Sequence, residues 1–361
     1  MRVVITGATG NVGTSLIEVL GSEPEVDSIV GIARRLPDWR PPKTTWVQAD
    51  VAVDDLASHF EGVDAVVHLA WIFQPTHDEL ETWNNNVLGS IRVFDAAAAA
   101  GVSTLVHASS VGAYSPGPQD RSIDESWPTH ALAHASYGRE KSYLERVLDA
   151  FELRHPDVRV VRLRPGFIFK RQAASEQRRL FAGPLLPNRL VRPHLLPVFP
   201  DLPGLRFQVL HSEDAAEAYR LALLRPVRGA FNLAADPVVD ARTLGELFDA
   251  RPVKLPAWPV RAAVAAAWRL HLVPASPMLV DLALSLPVMD TARARSELGW
   301  SPSRTSLEAI EEVVEGFRDR AGMDTPPLDP EAGGTLREQE VATGVGETAA
   351  PPDELSGEAR D

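Results

Sequence analysis

The first thirteen residues, MRVVITGATGNVG, constrain the fold more than any other stretch. The apolar run Val3-Val4-Ile5 stops at Thr6, and glycines follow at Gly7, Gly10 and Gly13. Val12, Leu16, Ile17 and Leu20 then fall at helical spacing. A buried strand that turns through glycines into a helix is an anion site. The helix N-terminus offers free N–H groups and partial positive charge, and the glycines let a pyrophosphate approach the backbone. The spacing Gly-x-x-Gly-x-x-Gly departs from the commoner Gly-x-Gly-x-x-Gly.

The following residues repeat the strand–helix alternation. Strands are expected at about 2–6, 28–33, 46–49, 65–70, 104–109 and 159–163, and helices at about 11–21, 54–60, 78–100 and 134–153. This predicts an α/β protein with a Rossmann-type doubly wound parallel sheet. Beyond Arg164 the rhythm breaks. Residues 171–206 are rich in Arg, Pro and Leu with little regular signal, a long insertion of the functional or mobile kind. Helices return at 212–224, 243–250, 260–272 and 306–320, with a strand at 229–233. The expected organisation is an NAD(P)-binding domain over 1–165 and a smaller C-terminal substrate-binding lobe over 166–321, interleaved with the core. A disordered acidic tail is expected over 322–361. That tail is poor in aromatics and carries −8 of the chain's −13 net charge from residue 323 onward.

Composition excludes several classes. The chain has no cysteine, so disulfides, thiol catalysis and cysteine–zinc sites are out, and no metal site is expected. No basic block points to nucleic acid. No apolar run is long enough to cross a bilayer, and the Ala- and Val-rich stretch 260–272 with Trp268 reads as a packed lobe helix rather than an anchor. No membrane partner is expected, and the expected location is the cytoplasm.

Two places beyond the glycine loop bear on chemistry. At the end of the second strand, where an acid would bind the ribose 2′-hydroxyl of NAD, stands Ala33, followed by Arg34-Arg35. Guanidinium groups without a carboxylate suit a 2′-phosphate, so NADP is favoured over NAD. Further on, Tyr137 and Lys141 lie four apart on a predicted helix and share a face. A tyrosine near an ammonium can exchange a proton with a carbinol oxygen while hydride moves at carbon. Ser110 ends the fifth strand, at the sheet edge where ligands bind.

Taken in order, Thr6-Gly7-x-x-Gly10-x-x-Gly13, Asp50-Val51, His68-Leu69-Ala70, Asn86-Val87-x-Gly89, Ser109-Ser110-x-x-x-Tyr114, Tyr137-x-x-x-Lys141 and Arg164-Pro165-Gly166 resemble the extended short-chain dehydrogenases/reductases of the NAD-dependent epimerase/dehydratase type. The resemblance covers about residues 1–320. It implies that Gly7, Gly10 and Gly13, with Thr6, Asn11 and Val12, cradle the pyrophosphate, and that Asp50 and Val51 meet the adenine. Leu69 and Ala70 would line the cofactor path, and Pro165 would lie near the carboxamide. Ser110 would be the catalytic serine and Tyr137 the acid/base. Lys141 would bind the nicotinamide ribose and lower the tyrosine's pKa. Asn86, His211 and Asp214 would be structural, and a homodimer through the helices carrying Asn86 and Tyr137 is the family's frequent assembly.

The implied activity is NAD(P)-dependent oxidation, reduction or epimerisation of a small-molecule substrate. The stretch Arg164-Pro165-Gly166-Phe167-Ile168-Phe169 lacks the asparagine that nucleotide-sugar members usually carry just after the sixth strand, and Phe207-Gln208 stand where they often carry Arg-Asp. With Trp71 and Phe73, these departures favour a reductase or dehydrogenase of an apolar carbonyl or alcohol. The alternatives are a nucleotide-sugar epimerase/dehydratase with retained NAD and a non-catalytic cofactor-binding regulator.

Overall fold

The computed structural model of the protein describes residues 1–118, 120–185, 198–334 and 337–347. Its first half is β1 (Arg2–Thr6), α1 (Asn11–Gly21), β2 (Ser28–Ala33), β3 (Thr44–Gln48), α2 (Ala57–Phe60) and β4 (Ala65–His68), then α3 (Glu79–Thr82), α4 (Gly89–Ala99), β5 (Thr104–Ala108), α5 (Ser136–Arg154) and β6 (Arg159–Pro165). A π-helical stretch, Trp83–Leu88, joins α3 to α4. The lobe side adds β7 (Phe167–Phe169), α6 (Ala174–Gln177), β8 (Val198–Asp201), β9 (Arg206–Phe207), β10 (Val209–His211), α7 (Ser212–Leu224) and β11 (Gly229–Leu233). β12 (Val239–Asp240), α8 (Ala241–Phe248), β13 (Arg251–Lys254), α9 (Ala257–Arg269), α10 (Pro277–Ala283), α11 (Ser306–Asp319) and α12 (Glu338–Ala342) complete the order.

Seven strands form one sheet in the order β11-β6-β5-β4-β1-β2-β3, and every pairing is parallel. The strand order reverses between β1 and β4, and ligands bind doubly wound sheets at that switch point. Thr6 stands opposite Ile32 on one side and His68 on the other, so three carboxyl ends converge there. Alternation along β1 splits the core. Val3 and Ile5 pack with Leu16, Leu20 and Tyr219 on one face. Val4 packs with Phe94, Leu148 and Phe151 on the other. Each buried aromatic contributes about 2–3 kcal/mol of apolar burial.

Three expectations change. Residues 171–206 carry more order than their composition suggests: a 3-10 turn at Arg171–Ala173, α6, the π-turn Arg178–Ala182, β8 and β9. Residues 186–197 of that insertion lie outside the described residues. The stretch read as a packed lobe helix is α9, one turn or so earlier than expected, and it has no buried residue. The third change is the start of the tail.

Residues 323–334 and 337–347 form a strap across the body instead of leaving it at 322. Thr325, 1% exposed, donates from Oγ1 to the Thr9 carbonyl in the glycine loop at 2.9 Å. Leu328 is fully buried. Glu340 takes both guanidinium nitrogens of Arg178, each partner about 5–6% exposed at the side chain. The carbonyl of Gly346 accepts from Thr76 and His77. Polar groups rather than an apolar stripe anchor this segment, so composition does not reveal it. Residues 348–361 of the expected tail lie outside the described residues.

Candidate active site

The glycine loop divides its labour. Gly7 sits at φ +68°, and a Cβ there would lie 2.6 Å from the Ala70 nitrogen, so only glycine admits the loop after β4. A Cβ on Gly13 would strike the Gly7 carbonyl at 2.4 Å, so this glycine permits α1 to pack under the turn. At Gly10 a Cβ would meet nothing closer than 3.5 Å, which leaves the approach to the helix end open. Gly10 is also the N-cap and supplies no side-chain acceptor to the first turn. The Asn11 amide donates to the Ile168 carbonyl, and its Oδ1 is buried without a partner. An uncapped helix N-terminus beside an open glycine suits a pyrophosphate.

Leu69 and Ala70 turn away from β4 while both remain hydrogen-bonded to Thr6, through its carbonyl at 3.1 Å and its hydroxyl at 3.4 Å. At the far end of the edge, Arg34 and Arg35 leave β2 directly after Ala33. Arg34 is exposed and Arg35 half-buried. Asp50 follows β3, with Oδ1 accepting from Ala52 N–H to close a turn. Val51 lies over Gly89 of α4. Pro165 ends β6, buried and paired with Leu233. All the expected residues therefore stand on the carboxyl edge of the sheet. Arg34, Arg35, Asp50 and Val51 lie on the β2–β3 side of the glycine loop, and Ser110, Tyr137 and Lys141 on the β5 side.

Ser110 follows β5, and its hydroxyl accepts from Gly112 N–H at 3.0 Å, with the Tyr137 ring on the same side of Gly112. Close packing holds this arrangement, since a Cβ on Gly112 would sit 2.8 Å from the tyrosine ring. Ser109 points elsewhere: it donates to Glu145 at 2.6 Å. Glu145 is buried, which would raise its pKa, but Arg164 and Arg162 outweigh burial and hold it at about 2. The two serines thus separate into one beside the tyrosine and one in a buried ionic cluster.

The Tyr137 ring stacks on Phe73 at 5.0 Å and meets Trp71 edge-on at 5.7 Å, and Phe181 closes against Phe73. Burial pushes the phenol up to about 12, against the opposing influence of the neighbouring Ser110 hydroxyl. The expected lowering by Lys141 is not what the groups present produce. The Lys141 ammonium donates to the Ala108 carbonyl at 2.7 Å and lies 3.3 Å from the Trp71 ring centroid, but 6.0 Å from that of Tyr137. Burial brings the ammonium itself down to about 7, despite Glu140 and Glu145.

A further set holds the aromatic loop: Asn86 stands in the motif given above, but its partners Thr82 and Glu140 were not singled out. Asn86 accepts from Ile72 N–H at 2.8 Å and donates to the Ile72 carbonyl at 2.9 Å and to Glu140 at 2.8 Å. Thr82 donates to the other Glu140 oxygen. The tyrosine helix is thereby tied to the loop that carries Trp71 and Phe73. His211 and Asp214 are structural: His211 caps α7 by accepting from Glu213 N–H, and Asp214 accepts from Ser303 and Arg304 N–H in the loop before α11.

A glycine loop at the switch point of a parallel sheet defines a Rossmann-type dinucleotide-binding protein. The chain belongs to the NAD dependent epimerase/dehydratase family, whose model matches residues 3–234, and it is an enzyme of that family. An uncharacterized protein of Mycobacterium tuberculosis is 26% identical over 338 residues, covering 91% of this chain and 86% of its own length. An L-arabinose 1-dehydrogenase (NAD(P)(+)) of Haloferax volcanii is 38% identical over 109 residues, 30% of this chain and 40% of that one. Among solved structures, UDP-glucose-4-epimerase from Stenotrophomonas maltophila, with bound NAD and formylated UDP-arabinopyranose, superimposes with a TM-score of 0.66. It is 21% identical, over 88% of this chain and 98% of that one.

Proposed function

We propose that the chain catalyses NAD(P)-dependent hydride transfer to or from a carbinol or carbonyl carbon, with Ser110, Tyr137 and Lys141 as the catalytic group. The packing of Ser110 and Tyr137 around Gly112, beside a buried Lys141, carries this reading. The nicotinamide, when bound, supplies or accepts the hydride. Ser110 holds the substrate oxygen against Tyr137. In the reducing direction Tyr137, a phenol held near 12, gives that oxygen a proton as hydride reaches the carbon. In the oxidising direction the proton returns to Tyr137. Lys141 would leave Trp71 to meet ribose hydroxyls, and its charge would then favour the phenolate.

Trp71, Phe73 and Phe181 wall the tyrosine with apolar surface, which favours a compact apolar carbonyl or alcohol. A nucleotide-sugar epimerase with retained NAD is the second reading, favoured by the family and by the UDP-sugar in the Stenotrophomonas relative. Net consumption of NADPH supports the first, and isomerisation with no net change in cofactor supports the second. Tyr137→Phe should lower kcat at least ~1000-fold and leave cofactor binding within about twofold. Unchanged turnover would sink the assignment. Arg34→Glu with Arg35→Glu should weaken NADP at least ~tenfold and spare NAD, since each guanidinium–phosphate contact is charge-assisted. Equal losses for both cofactors would remove the NADP preference.

A further inference from the structure

α9 lies on the surface with one stripe facing water. Trp258 is 72% exposed, and Ala262, Ala266 and Leu270 follow at four-residue intervals, with Leu270 68% exposed. Val253 and Leu255 before the helix and Leu272 after it are exposed as well. Single exposed apolar residues are ordinary, but a row along one helix is not. The helix is held on the body from its other side. Trp268 stacks on His77 at 4.0 Å and donates to the Thr76 hydroxyl at 2.9 Å.

The charge here runs against that of the whole chain. From Arg251 to Val280 there is no acidic residue, while Arg251, Lys254, Arg261 and Arg269 are basic, in a chain of net charge −13. Asp281 engages Arg261 at 2.7 Å, and Arg251, Lys254 and Arg269 are exposed. An anionic surface repels the acidic body and attracts Arg251, Lys254 and Arg269, which favours this orientation. With thirteen residues, α9 is too short to cross a bilayer, and no helix among the described residues is long and apolar enough to do so. A short helix with a tryptophan–leucine stripe flanked by arginine and lysine is the form that lies in a lipid interface.

We propose that α9 and β13 dock flat on an anionic lipid bilayer. Trp258 and Leu270 enter the headgroup–acyl boundary, and Arg251, Lys254 and Arg269 meet headgroup phosphates. A cavity of about 830 Å³ opens at the foot of α9, between Ala257, Arg261, Leu132 and Met278. Leu132 and Met278 pack in the same cluster as Tyr137. The proposal does not depend on the reaction proposed above.

The test is flotation of the full chain with phosphatidylcholine vesicles, alone and with about a third phosphatidylglycerol. The chain should float with the mixed vesicles only and detach at about 1 M salt, where the screening length is about 3 Å. Trp258→Ala with Leu270→Ser should cut the bound fraction at least tenfold, as should Lys254→Glu with Arg269→Glu. These side chains are exposed, and an unchanged circular dichroism spectrum will verify that each variant folds. No flotation, equal flotation with neutral vesicles, or variants that float like the parent would overturn the proposal. So would a dimer that Trp258→Ala dissociates while the parent chain ignores vesicles, since the face would then belong to a second copy.

Discussion

Lys141 is held by a carbonyl on one side and an indole on the other, and burial lowers its pKa to about 7. Unfolded, the same side chain keeps its proton to about 10.4. Between these values the unfolded chain binds more protons, so stability rises with pH from about 7 to about 10. Thermal unfolding of the parent and of Lys141→Met at pH values in this window should show the parent gaining on the variant as pH rises. A constant difference would mean that the ammonium is not desolvated. Tyr137 does not interfere, because its shift acts only above about 10. Nearby, His107 lies against His68 and Phe94 with neither ring nitrogen hydrogen-bonded, and burial holds its pKa well below 6.5. His107→Phe removes two orphaned polar atoms and should stabilise by about 1–2 kcal/mol in chemical denaturation. Here the folded chain refuses a proton that the unfolded chain takes below about 6.5, so acid costs stability, and the variant's acid limb should be shallower. Residue types and spacing singled out Ser110, Tyr137 and Lys141, which the fold brings together at the end of β5. The state of the pair was not legible, because it depends on which rings close over it.

The loop from Ala70 to Phe73 acts as one piece with α5. Asn86 clips Ile72 by both backbone groups and reaches Glu140, whose carboxyl burial shifts upward against the Asn86 and Thr82 hydrogen bonds. Asn86→Ala should cost about 2–4 kcal/mol, since it frees two backbone groups and removes one of the two hydrogen bonds to a buried carboxyl. It should also weaken the near-ultraviolet circular dichroism from Trp71 and Tyr137, which lose their fixed packing. A stability loss with an unchanged aromatic signal would show that Glu140 alone holds the loop. The sheet elements were legible because hydrophobic period and glycine position report them directly: β1, α1, β2 and α7 fall where apolar spacing puts them. Helical period over 78–100 was legible too, but not the π-helical turn at Trp83–Leu88. Short lobe strands such as β9 and β12 escaped, because two residues carry no period.

Across the whole molecule, the strap ties together parts that the sheet keeps apart. Thr325 bonds the glycine loop, Glu340 the segment after α6, and Gly346 the loop after β4. Low hydrophobicity and high charge pointed to disorder from residue 322 because those measures count apolar burial and miss a buried ion pair. Arg178 and Glu340 are both nearly dry, so each charge depends on the other. Among the described residues, Glu340→Ala leaves the buried guanidinium with the Gly183 carbonyl alone and should cost about 3–5 kcal/mol of local stability. Arg178→Met with Glu340→Leu replaces both charges by apolar groups and should be near neutral. Limited proteolysis followed by mass spectrometry reads the difference: cleavage within 323–347 should accelerate at least ~tenfold in the single variant and little in the double one. Equal cleavage in parent and single variant would mean that the backbone bonds to Thr9, Thr76 and His77 hold the strap without the ion pair. If the single variant opens the strap, the glycine loop loses Thr325 as a neighbour, and faster cofactor release should accompany the faster cleavage.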